Sequence, residues 1–266
     1  MKKKTFYVHT DFAKYMFECF NHNSIEKLGQ YKILLKMLSD IKKITKNRII
    51  IPTYNYDFGK KKIFNYLNDK SQIGSFSEFF RKKYKNNRSE MPFFSDCSNF
   101  KREKKTNIET FPIGENSTFE YLFKNSGKIV FFGSDFSPTY IHYIESQIEG
   151  GPLYRYDKNF VGKIILNKKK IQKIKVKMHV IPRGLDISYD LKKIEKDLKK
   201  NDILKIKKFK NYFFYSICDV KKFHTYTLKK LKKDPFYLLR VRTKKILRKN
   251  KILKNRRFDI NDFEKI

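Results

Sequence analysis

At 266 residues the chain can bury one large core or two small ones. Hydrophobic residues make up 40% and aromatics 16%, with no tryptophan, which excludes a disordered chain. Lysine and arginine number 62 against 27 acidic residues, a formal net charge of +35 that would attract polyanions such as nucleic acid, anionic lipid or phosphorylated small molecules.

The opening MKKKTFYVHTDF starts basic, but His9, Thr10 and Asp11 interrupt the apolar core that a signal peptide needs. KTFYVHT (4–10) and RIIIPTY (48–54) read as short buried strands, rich in β-branched and aromatic residues. Between them SIEKLGQYKILLKMLSDIKKI (24–44) sets Leu34, Leu38 and Ile41 on one helical stripe, with Ser24 as the predicted N-cap. IGSFSEFFRKKY (73–84) is a second amphipathic piece, and the stretch 86–113 is too polar and aperiodic to assign. GKIVFFG (127–133) is a strand, after which Ser137 and Pro138 are predicted to open a helix. VGKIILN (161–167), KIKVKMHVIP (173–182) and NYFFYSICD (211–219) read as strands, and DLKKIEKDLKK (190–200) and VKKFHTYTLKKLKKD (220–234) as helices. This alternation predicts an α/β fold, a single domain over residues 1–240 whose mixed sheet is flanked by helices. Residues 241–266, including KKILRKNKILKNRR (244–257), read as a solvated basic tail.

The lysines pepper every segment, as the AT-rich codons that also supply Asn, Ile, Phe and Tyr would make them, so nucleic acid is not the expected partner. Cys19, Cys97 and Cys218 are too far apart for a zinc knuckle, and their odd number argues against a disulfide framework. No stretch approaches the roughly 18–20 apolar residues of a membrane span. A cytoplasmic protein is expected. Neither a dinucleotide fingerprint, a P-loop, a zinc-protease motif nor a serine elbow is present. His22, His179 and His224 read as structural or exposed.

His142 differs. It follows the strand that ends at Gly133, on the predicted helix, one turn after Thr139 and one turn before Glu145, so the three share a face. Ligands usually bind at the carboxyl edge of such a sheet, and a histidine with a carboxylate neighbour can take a proton from an attacking nucleophile. A surface ion pair would have the same spacing, and the residues alone leave both readings open.

The ordered segments FYVHTD (6–11), IPTYNYDF (51–58), IGSFSEFFRK (73–82), RSEMPFFS (88–95), GENSTFEYLFKNSGKIVFFG (114–133), TYIHYIE (139–145) and GPLYRY (151–156) resemble the aminoglycoside 3-N-acetyltransferase family of antibiotic acetyltransferases. The likeness extends through DISYDLKKIEKDLKKNDILK (186–205) to KKLKKDPFYLL (229–239), and is greatest to members associated with amino-sugar modification in surface-glycan biosynthesis. The resemblance implies an α/β fold distinct from the common acetyltransferase superfamily and transfer of acetyl from acetyl-CoA to an amine. It implies His142 as general base, Glu145 as its acidic neighbour, Thr139 as a hydroxyl donor to the thioester carbonyl, and Asp190 as a carboxylate orienting the histidine. It puts Thr10, Asp11, Thr53, Tyr54, Arg88 and Ser89 around coenzyme A, and a homodimer is compatible with it.

Departures bear on the substrate. MFECFNHNS stands where a glycine pair often follows the first strand, Met91 replaces a common histidine, and SDFSPT replaces a glycine-histidine-aspartate run. Enzymes for polycationic antibiotics use an acidic cleft, whereas this chain is strongly cationic, so an amino sugar on an anionic nucleotide carrier is the expected small-molecule substrate. The alternative is a catalytically inactive, polyanion-binding protein that retains the fold; salt dependence of binding separates the two.

Overall fold

In the computed structural model, which describes residues 4–46, 48–102, 108–167, 170–210 and 213–264, the first half of the chain alternates strands and helices. It runs β1 (Phe6–Thr10), α1 (Phe12–Cys19), α2 (His22–Thr45), β2 (Ile49–Pro52), α3 (Phe58–Lys61), β3 (Ile63–Asn65), α4 (Ser75–Lys83), β4 (Asp96–Ser98) and β5 (Glu109–Thr110). There follow α5 (Thr118–Lys124), β6 (Lys128–Phe132), α6 (Tyr140–Ser146), β7 (Tyr156–Asn167) and β8 (Lys170–Val180). The chain continues with α7 (Leu191–Lys200), β9 (Leu204–Lys210), β10 (Phe213–Asp219), α8 (Val220–Lys233) and α9 (Val241–Lys249). Residues 211 and 212 of the predicted last strand lie outside the described residues.

A six-stranded sheet has the order β4-β2-β1-β6-β10-β9, parallel through β2, β1 and β6 and antiparallel at both sides. Side chains alternate across it. Tyr7, Ile50, Ile129 and Phe131 enter a core with α5, α6, α7 and α8, while Phe6, Val8, Ile49, Ile51, Val130 and Phe132 enter another with α1, α2 and α4. The central strands are therefore buried on both faces, which is why they read as unbroken apolar runs.

The single mixed sheet of the sequence reading is joined by a second, four-stranded one of order β3-β7-β8-β5. The hairpin β7–β8 forms it, with a core of its own in which Phe58, Phe64 and Phe93 meet Ile164, Ile174 and Val176. Two local expectations shift. The cap of α2 is Asn21, which accepts from the Ser24 backbone, and Gly29 (φ 68°) breaks that helix because a left-handed residue cannot continue it. The helix carrying His142 begins at Tyr140 rather than Pro138, its entry tightened by bonds from Ile141 N to Pro138 O (3.1 Å) and His142 N to Thr139 O (3.0 Å).

Residues 241–264 are not a solvated tail. Leu247 and Phe258 are buried against Tyr154, Tyr156 and Leu239, and Arg257 donates to Asp157 at 2.6 Å. Interspersed lysines mask these apolar anchors in the sequence. No helix among the described residues is long and apolar enough to cross a membrane.

Candidate active site

β6 ends at Phe132 and is followed by Gly133, whose φ of 74° and closeness to Phe213 (an added Cβ would lie 2.7 Å from its ring) admit only glycine. The chain turns there and returns through α6. That helix buries Tyr140, Ile141, Tyr143, Ile144 and Glu145 against the core but leaves the His142 side chain 25% exposed.

His142 Nδ1 lies 2.9 Å from Glu145 Oε2, and Glu145 is 1% exposed. Glu145 Oε1 accepts from the hydroxyls of Tyr154 and Tyr189, each at 2.5 Å. Arg155 Nε stands 3.6 Å from Oε2, while its two Nη atoms donate to the Tyr189 hydroxyl and the His179 carbonyl, both at 2.8 Å. Burial pushes the Glu145 pKa up, but the Arg155 charge, His142 and the Tyr154 donor together outweigh it and hold the carboxyl at about 2. A carboxylate ionised at neutral pH calls for a proton on Nδ1, so the neutral ring carries its lone pair on Nε2. That nitrogen has no hydrogen-bond partner among the described residues. The ring stands edge-on to Tyr189 (5.8 Å between centroids) and near Phe94 (6.3 Å).

Thr139 stands at the position before the same helix, its side chain making no capping bond, and neighbours the Tyr54 hydroxyl, which bonds the Tyr7 hydroxyl at 2.7 Å. Burial drives the Tyr54 phenol well above its ordinary pKa, so it stays protonated, and its ring meets Phe94 edge-on at 5.1 Å. Thr139, His142, Tyr54 and Phe94 thus form one neighbourhood.

The other expected residues are placed as follows. Asp190 accepts from Lys193 N at 3.1 Å and caps α7, while Glu145 is the carboxylate that holds His142 Nδ1. Asp11 caps α1 through Lys14 N at 2.9 Å, and Thr10 ends β1. Thr53 is fully buried, with its carbonyl accepting from Arg88 Nη2 (2.8 Å) and Ser95 Oγ (2.6 Å). Arg88 is fully buried as well, and Nη1 donates to the Tyr66 and Asp69 carbonyls at 2.9 and 2.6 Å. Burial, together with the neighbouring Arg81 charge, outweighs the Asp69 and Glu78 carboxylates and pulls the guanidinium pKa down to about 10. Both residues hold loops together, and Arg88 is also among the residues around the cavity beside Phe94. Ser89 receives Asp96 N at 2.9 Å and lines a cavity.

That cavity, 470 Å³, touches Phe94 and continues past Ser89 to Arg48, Lys101, Arg102 and Lys124. A cavity of 890 Å³ on another side is lined by Gly133, Ser134, Asp190 and Arg240, and Arg240 Nε donates to the Tyr189 carbonyl at 3.3 Å. His142 is in neither lining and borders the first only through Phe94. The sequence reading missed Tyr154, Arg155 and Tyr189 as site residues. Their signal was GPLYRY and the tyrosine just before Asp190, but nothing local shows that they converge on Glu145.

The model of a family described as aminoglycoside 3-N-acetyltransferase matches residues 42–232. Among solved structures, a histidine-to-alanine mutant of aminoglycoside acetyltransferase AAC(3)-IVa in complex with apramycin is similar at 12% identity and a TM-score of 0.64, over 88% of this chain and 87% of that one. AAC-IIIb in a binary complex with CoASH is 12% identical with a TM-score of 0.63, over 87% and 90% of the two chains. YokD from Bacillus subtilis is 14% identical with a TM-score of 0.64, over 87% and 88%. No curated protein matches. With most of its length matched by the family model, the chain belongs to the aminoglycoside 3-N-acetyltransferase family.

Proposed function

We propose that this protein transfers acetyl from acetyl-CoA directly to the amine of an amino sugar, carried on a nucleotide, with His142 as general base. The observation that carries the reading is the His142–Glu145 contact: a buried, ionised carboxylate fixes Nδ1 of a partly exposed ring and leaves Nε2 to accept a proton.

The fit to coenzyme A rests on the cavity beside Phe94, whose cationic wall suits an anionic cofactor. Bound there, acetyl-CoA would supply the activated acetyl group as a thioester. His142 Nε2 takes the proton from the amine as its nitrogen bonds to the acetyl carbon and the carbon–sulfur bond breaks. Glu145 stabilises the imidazolium so formed, and the proton then passes to the departing thiolate. Thr139, at the helix entry, is the donor for the carbonyl oxygen as charge gathers on it. This route needs no covalent intermediate on the protein.

The choice of acceptor is supported by charge. A net charge of +35 and a cavity wall with more basic than acidic residues disfavour a polycation and favour an anionic carrier. Thiol release from acetyl-CoA, measured against nucleotide-linked amino sugars and aminoglycosides, tests the reading. Turnover should require His142, falling in His142→Ala by about 10²–10⁴-fold, the usual worth of a general base. Efficient acetylation of aminoglycosides without turnover of nucleotide-linked sugars would overturn the acceptor class.

A further inference from the structure

The four-stranded sheet packs Phe64, Ile164, Ile174 and Val176 into its core, so the odd-numbered residues of β3, β7 and the facing part of β8 point outward. On a sheet with one face in water those positions are ordinarily polar. Here they are Ile63, Val161, Lys163, Ile165, Ile171 and Lys173, and Ile63, Val161 and Ile171 are 47%, 62% and 60% exposed. The register gathers them into one patch. Lys163 lies directly opposite Lys173 in the β7–β8 ladder and beside Ile63 on β3, while Ile165 faces Ile171 further along. Towards the other end of the face the lysines are neutralised, Lys175 by Glu109 at 2.9 Å and Lys177 by Asp157 at 2.7 Å. Lys163 and Lys173 are both exposed, and neither has a carboxylate partner among the described residues.

Like charges directly opposite each other destabilise a ladder, and aliphatic side chains left in water gain nothing from burial. A surface that is anionic at the level of the two lysines and apolar just beneath would relieve both. We propose that this face docks on an anionic phospholipid bilayer, with Lys163 and Lys173 among the lipid phosphates and Ile63, Val161 and Ile171 at the edge of the acyl chains. Lysine stems are apolar along their length, so the heads reach phosphate while the neighbouring aliphatics sit deeper. Docking of this kind lies on the membrane and needs no spanning helix. Nucleic acid fits the patch less well, because its outward positions offer no arginine and no aromatic ring for bases to stack on. A second copy fits less well too, since a two-fold contact would set the same lysine pair against itself. The proposal is independent of the acetyl-transfer reading.

Co-sedimentation of the whole chain with vesicles of phosphatidylglycerol and phosphatidylcholine, against vesicles of phosphatidylcholine alone, tests it. Binding is expected to the mixed vesicles, weakening as salt is added. Lys163→Glu should weaken it about twentyfold, since a lysine at an anionic surface contributes about fivefold and a reversal counts twice. The glutamate would then face Lys173, so the melting temperature should hold or rise, which separates lost binding from lost folding. Val161→Thr combined with Ile171→Thr keeps the charge and the β-branched shape and should also weaken binding, at high salt as well as low. Lys207→Glu on the exposed edge strand β9 changes the net charge equally and should alter binding by less than about threefold. No binding of wild type to mixed vesicles, equal losses in Lys163→Glu and Lys207→Glu, or undiminished binding by the threonine variant overturns the proposal. So does an oligonucleotide bound through Lys163 while vesicles are ignored, or a dimer in sedimentation velocity that the threonine variant dissolves.

Discussion

Glu145 holds His142 by Nδ1 at 2.9 Å from a position only 1% exposed, while two tyrosines and an arginine close over its other lone pairs. A bland surface pair would share the spacing but would leave both partners in water. Here the carboxylate is desolvated and paired, so removing it leaves unmatched donors in a dry site.

Glu145→Gln should leave the chain folded at neutral pH and lower kcat steeply. An amide in that position donates as readily as it accepts, so the ring can adopt the tautomer with its proton on Nε2 and lose its basicity. By analogy with other histidine–carboxylate pairs the loss should approach about 10⁴-fold. Thiol-release kinetics beside a melting curve check this, and a tenfold loss or less would mean that the pair only packs.

The same carboxylate sets an acid limit on stability. Its pKa falls from an ordinary 4.5 to about 2 on folding, so its stabilisation is complete above pH 4.5 and is lost as pH falls from there toward 2. The amount is on the order of 3 kcal/mol. Urea titrations of wild type and Glu145→Gln at pH 7, 5, 4 and 3 should show the gap between them narrowing below pH 4.5.

Thr139→Val removes the hydroxyl at the helix entry and little volume. A fall in kcat of about 10²–10³-fold with KM for acetyl-CoA nearly unchanged is the expected result for an oxyanion donor. Equal losses in both parameters would make it a binding contact instead.

Arg88→Lys should destabilise without a selective effect on acetyl-CoA affinity. The lysine carries one head in place of a planar fork, leaving carbonyls of Thr53, Tyr66 and Asp69 short of donors in the interior. The cost should be about 2–4 kcal/mol, read from denaturant midpoints.

Deleting residues 241–266 should cost more than a tail would. Leu247 and Phe258 each contribute about 1.5–3 kcal/mol by burial, and their loss uncovers Tyr154, whose hydroxyl serves Glu145. A lowered melting temperature together with reduced turnover is expected; an unchanged melt would show that the segment does not pack.

The central strands, the parent helices and the Thr139–His142–Glu145 spacing were legible in the sequence, because burial on both faces of a strand and contact along one helix face leave periodic traces within a few residues. Other features left none. The hairpin's separate sheet, the packed C-terminal segment and the capping role of Asp190 depend on which surfaces meet, and lysine-rich flanks hide the anchoring Leu247 and Phe258. The convergence on Glu145 is the clearest case. Tyr154 lies 9 residues away and Tyr189 lies 44 away across the hairpin, and both reach one carboxylate oxygen. Sequence alone determined that a histidine and a carboxylate would share a helix face at the end of a buried strand. Only the tertiary structure decided that the carboxylate would be dry, ionised and held from several directions, since desolvation and charge pairing arise when distant segments close over the same point.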